Sequence, residues 1–150
     1  TPHVLGMSDS TFLKFLSVVI FIAVFLPLMF GGKIYNTMKA LMTMRPPARI
    51  IAPMDFGPYG LALTRHSFYA APYHRNNKGN RLMFDVLLGN ASSGRTAAIR
   101  SGATHVLVCQ GSTGFGANSL ARHLEAGAAP GWLARVPLNA KGARLYRVVR

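Results

Sequence analysis

At 150 residues, half of them hydrophobic, the chain holds enough for one compact domain and one apolar span, and too little for a multi-pass enzyme. Lys and Arg number 17 against 4 Asp and Glu, a formal net charge of +13, which suits a polyanionic partner such as anionic membrane lipid or a phosphorylated ligand; without a homeodomain, zinc-finger or RNP pattern, nucleic acid is the minor alternative. The lone cysteine, Cys109, excludes an internal disulfide. Its apolar surroundings, Val106-Leu107-Val108, point to a small buried hydrophobe rather than a nucleophile. The chain opens on Thr1, so it is expected to be a piece of a longer polypeptide.

The first feature along the chain is a stretch without charge over 15–32. As a helix it would run about 27 Å, close to the hydrocarbon thickness of a bilayer. Lys14 and Lys33 bracket it and can reach both interfaces, and Pro27 would kink it near the far end. A transmembrane helix over about 11–32 is therefore expected. Lys33, Lys39, Arg45 and Arg49 follow it, which by the positive-inside rule puts the rest of the chain in the cytoplasm. An amphipathic connecting helix over 34–44 ends at Pro46-Pro47. This divides the chain into 1–44, transmembrane and connecting helices, and 45–150, a basic domain.

Short elements fill the second part. Strands are expected over 49–54 and 67–71, with a short helix over 57–63 between them. A helix over 78–88 follows, supported by an Arg81–Asp85 pair one turn apart, with Gly89 as its C-cap. Another helix over 93–101 closes at Gly102. A strand over 105–110 precedes a helix over 118–126 capped by Asn118. The end reads as a hairpin of 135–138 and 143–149, turned at 139–142. Strands alternating with helices imply a small layered α/β domain with a mixed, partly parallel sheet and an antiparallel edge.

Only four acids are present, so few groups can do acid–base work. Asp55 stands at the end of a strand, where α/β sheets tend to bind ligands, and equally could cap the following helix. The densest polar cluster is Tyr73-His74-Arg75-Asn76-Asn77-Lys78-Gly79-Asn80. Arg75 and Lys78 suit a phosphate, His74 an anion or a proton transfer, and Asn76 and Asn80 sugar hydroxyls; a solvated loop with Asn and Gly at caps and turns is the plain alternative. No His has a Cys or carboxylate at metal-ligand spacing, so neither a metal nor another cofactor is expected. The segment Gly111-Ser112-Thr113-Gly114-Phe115-Gly116 lies between strand and helix but lacks the Walker A ending and the Rossmann spacing, and Ser112 has no His–Asp set nearby.

The segments Arg49-Ile50-Ile51-Ala52-Pro53-Met54-Asp55-Phe56-Gly57-Pro58, Thr64-Arg65-His66-Ser67 and Ala70-Ala71-Pro72-Tyr73-His74-Arg75-Asn76 resemble the C-terminal region of bacterial multi-pass membrane proteins of the GT-C glycosyltransferase type. The ending Gly131-Trp132-Leu133-Ala134-Arg135-Val136-Pro137-Leu138, with Leu145-Tyr146-Arg147-Val148, is similar to their last residues. The resemblance covers roughly 48–150. It implies a donor in which a sugar is linked to polyprenyl phosphate, a bacterial inner membrane and a periplasmic domain, against the charge rule. It also implies that the catalytic carboxylate lies in a loop far upstream, so that this chain alone lacks it.

The expected function is thus an accessory, substrate-positioning part of a glycosyltransferase-like membrane protein. Asp55, His66, Tyr73, His74, Arg75, Asn76 and Lys78 would line a ligand or phosphate pocket at the strand ends. The partners would be membrane lipid, the lipid-linked donor, and the remainder of a larger membrane protein or a partner subunit. The alternative is a non-catalytic, membrane-tethered module that binds anionic lipid or a partner subunit, with the 14 basic and 3 acidic residues after residue 44 as its surface.

Overall fold

The computed structural model describes residues 12, 14–20, 32–45, 47–111 and 116–150. The chain divides into two compact units, Thr1–Gly32 and Lys33–Arg150. In the first, residues 14–20 are helical and their side chains are exposed.

The second unit is a mixed α/β domain. It begins with helix α1 (Gly32–Met42), followed by strand β1 (Arg49–Ile51), a 3-10 turn (Met54–Phe56), α2 (Gly57–Leu63) and β2 (Ser67–Phe68). Two helices, α3 (Asn77–Leu87) and α4 (Ala91–Ser101), lead to β3 (His105–Cys109). Helix α5 (Leu120–Ala126) and the hairpin of β4 (Leu133–Val136) and β5 (Ala143–Val148) complete it. The five strands lie in the order β2-β1-β3-β5-β4. β1 runs parallel to β2 and β3, and β5 antiparallel to β3 and β4.

Alternation along the strands builds two cores. Ile51, Val106, Val108 and Tyr146 point to one face, where Met83, Val86 and Leu87 of α3, Ala98 of α4, and Leu120, Ala121 and Leu124 of α5 cover them. Ile50, Leu107 and Leu145 point to the other, against Met38 and Leu41 of α1 and Phe56 before α2. Full burial of each such large side chain stabilises by about 1.5–3 kcal/mol, so both faces carry the fold. The Tyr146 hydroxyl donates to the Leu124 carbonyl across 2.7 Å and pins β5 to the end of α5.

Local chemistry sets the helix ends. The Asn90 side chain accepts from the backbone N–H groups of Ser92 and Ser93, so α4 starts at Ala91, two residues before the expected position. Gly102 closes it at φ 74°, as expected. The cap of α5 is Ser119, whose hydroxyl accepts from the Arg122 N–H, not Asn118. The expected Arg81–Asp85 pair is absent; among the described residues the one ion pair is Arg122–Glu125 at 3.1 Å.

The expectation that the fold opens on a membrane-spanning helix is corrected. No helix among the described residues is long and apolar enough to cross a membrane. Within the described residues the helical stretch 14–20 offers seven positions, against the about 20 that a span needs. The 11 residues of α1 include Asn36, Thr37 and Lys39, and its Met38 and Leu41 are buried in the sheet's core. Residues 21–31 of the expected span lie outside the described residues. By compactness the chain divides after Gly32.

Candidate functional site

The carboxyl ends of the parallel strands are where an α/β sheet presents its loops to a ligand. After β1 the chain turns through Met54–Phe56 into α2. That turn closely meets the chain leaving β2, because Gly57 abuts the Ala70 carbonyl and Ala71; a Cβ there would overlap both. The loops after β1 and β2 are thereby neighbours. The loop after β3 leaves at Gly111 with φ 79°; residues 112–115, including Ser112, lie outside the described residues.

Asp55 lies in the 3-10 turn and is exposed. It does not cap α2, where the N-cap residue is Phe56 and makes no side-chain hydrogen bond. Tyr73, His74, Arg75 and Lys78 are exposed on the adjoining loop and the first turn of α3.

Asn76 has another task. Its Nδ2 donates to the Tyr69 carbonyl at 2.8 Å and to Asn80 Oδ1 at 3.2 Å. Asn80 Oδ1 also accepts the Ala71 N–H at 3.0 Å. Gly79 fits against the Tyr69 carbonyl, where a Cβ would collide. Asn76, Gly79 and Asn80 therefore seat α3 on the end of β2, with Asn76 Nδ2 and Asn80 Oδ1 engaged in that seating. A run of Asn and Gly at a helix start was the available signal for this seating; its partners across the fold were not.

His66 is not with this group. It precedes β2, at the amino end of the parallel strands, and is 3% exposed. Its Nδ1 accepts from the Ala48 N–H at 3.0 Å and its Nε2 lies 2.7 Å from the Leu41 carbonyl. The ring fastens α1 to the start of β1. The structure thus puts Asp55 on the turn after β1 and Tyr73, His74, Arg75 and Lys78 on the loop and helix start after β2, bonds Asn76 to the Tyr69 carbonyl, and sets His66 apart. Among the described residues no three His, Cys, Asp or Glu side chains form a metal-binding group.

The chain folds like the C-terminal globular domain of an oligosaccharyltransferase from Archaeoglobus fulgidus. The TM-score is 0.57, at 10% sequence identity, over 75% of this chain and 92% of that one. At that identity the likeness is one of fold. No protein-family model matches the chain, and no curated protein does.

Proposed function

We propose that the chain is a non-catalytic, substrate-positioning domain of a glycosyltransferase-like protein that uses polyprenyl-phosphate-linked sugars. The fold likeness to an oligosaccharyltransferase domain carries this reading. The strand ends support it: Arg75 and Lys78 stand exposed beside His74 and Tyr73, with Asp55 on the neighbouring turn. Arg75 would grip the lipid-linked phosphate in bidentate fashion, and Lys78 would add a point charge. Asp55 and Tyr73 would orient the sugar. The catalytic carboxylate would come from the rest of a larger membrane protein or from a partner subunit.

The test is binding of polyprenyl phosphate in detergent micelles, compared between the full chain and a His74→Ala/Arg75→Ala variant. Loss of this binding with retained attachment to anionic liposomes supports the proposal. Uniform weakening that follows salt concentration instead supports a module for anionic surfaces. That second reading draws on the charge of +13 and on a described surface where only one cation, Arg122, is paired with an acid. Sugar transfer by this chain alone would overturn the division of labour.

A further inference from the structure

A different cluster of cations sits at the amino ends of the parallel strands. His105 of β3 and Arg147 of β5 are direct cross-strand partners, and Arg147 is in turn opposite Ala134 of β4. Strand alternation puts this row on the face of Leu107 and Leu145, the face that α1 covers. The chain between α1 and β1 walls the row, leaving a cleft of about 550 Å³ lined by Arg45, Thr104, His105, Arg135 and Arg147. No carboxylate lines it. Arg135 pairs with Tyr146, on the alternate face, so Arg45 and Arg147 are the principal cations.

This arrangement is uncompensated. A cationic side chain opposite an imidazole, with no acid near, gains nothing from its neighbour. Burial first, then His66 and Arg147, hold the His105 ring below its ordinary protonation range. The Thr104 hydroxyl accepts the Arg49 N–H at 2.9 Å and has two acceptors within reach of its one proton, the Arg49 carbonyl at 3.1 Å and His105 Nδ1 at 3.0 Å. Once the ring is protonated both nitrogens donate, Nδ1–H to the Thr104 oxygen, which leaves Nε2–H for a ligand.

We propose that this cleft is an oxyanion site for the phosphate of a phosphate ester, held by Arg45 and Arg147 with His105 Nε2–H as a donor in the bound state. The volume exceeds what a bare phosphate fills, and Met44, Pro47, Val136 and Pro137 give the remainder an apolar wall for the esterified group. The inference stands apart from the function proposed above, since it uses none of the strand-end residues at 55 or 73–78.

The test follows the His105 Cε1 resonance in the full chain during titration with inorganic phosphate, against chloride at matched ionic strength. A saturable shift is expected, with the His105 midpoint moving up in pH. Arg147→Ala and, separately, Arg45→Ala should each weaken it about tenfold, the scale of one charge-assisted contact. The His66 resonance reports whether each variant keeps its fold. Vesicles with and without phosphatidic acid distinguish a lipid headgroup from a free phosphate as the source. Arg75→Ala should leave the response unchanged. Silence towards both inorganic phosphate and phosphatidic acid would overturn the proposal, as would a response that survives both arginine substitutions or is abolished by Arg75→Ala.

Discussion

His66 donates its Nε2 proton to the carbonyl of Leu41 across 2.7 Å. The direction is fixed because Nδ1 of the same ring accepts the Ala48 N–H. One side chain thereby satisfies two buried backbone groups on different elements. His66→Ala would leave both unpaired beside a cavity, and is expected to cost about 2–4 kcal/mol of stability. Urea denaturation of the two proteins measures it; a loss below about 1 kcal/mol would mean that water replaces the ring.

Gly79 of α3 tests the seating of that helix. Ala is normally better than Gly inside a helix, by about 1 kcal/mol. Here the added Cβ meets the Tyr69 carbonyl and Asn76 Oδ1, so Gly79→Ala is expected to reverse the sign and destabilise by about 2 kcal/mol. Gly131→Ala, with nothing within 4 Å of its Cβ position, is the control and should shift the thermal midpoint little. Equal behaviour of the two variants would refute the close approach.

His105 makes stability depend on pH in a definite direction. Burial, then His66 and Arg147, lower its pKa from the ordinary 6.5. The unfolded chain therefore takes up this proton at a higher pH than the folded one. Its contribution is fully present above 6.5 and declines as pH falls through that value, until the folded ring also protonates. Denaturation midpoints measured at about pH 7.5 and about pH 5 should fall on acidification, and His105→Gln should flatten the difference.

Cys109 is expected to be inert in the folded state. Burial first, then the Glu125 carboxylate, push its thiol up to about 12. Since the thiolate is the reactive form, iodoacetamide at about pH 8 should modify the native chain slowly and the urea-unfolded chain quickly. Equal rates would show that the thiol is ionised or accessible in the native protein.

Features that act within a turn or two of chain were legible in the sequence. Gly102 stops α4 because its left-handed conformation suits a residue without a Cβ. Val106, Leu107 and Val108 are apolar in succession because β3 is covered on both faces. Asn118 and Ser119 are both good caps, and only the reach of the Ser119 hydroxyl to the Arg122 N–H settles between them. What depends on distant partners was not legible. The two partners of His66 lie 25 and 18 residues away in sequence. The tie that His66 makes between α1 and β1 therefore left no mark on its immediate neighbours in sequence. The bond from Asn76 to the Tyr69 carbonyl was hidden in the same way. Arg45, His105 and Arg147 meet only because the sheet places β5 beside β3 and the chain leaves α1 alongside.

The two outer strands also limit how another chain can attach. On one side the sheet ends in β2, two residues long. On the other it ends in β4, four residues long and followed directly by Pro137, which has no N–H to donate. Neither offers an incoming strand more than a short ladder of unpaired amides and carbonyls. This discourages edge-to-edge aggregation. It also means that recognition by strand addition, which draws its affinity from a long run of main-chain bonds, has little to grip.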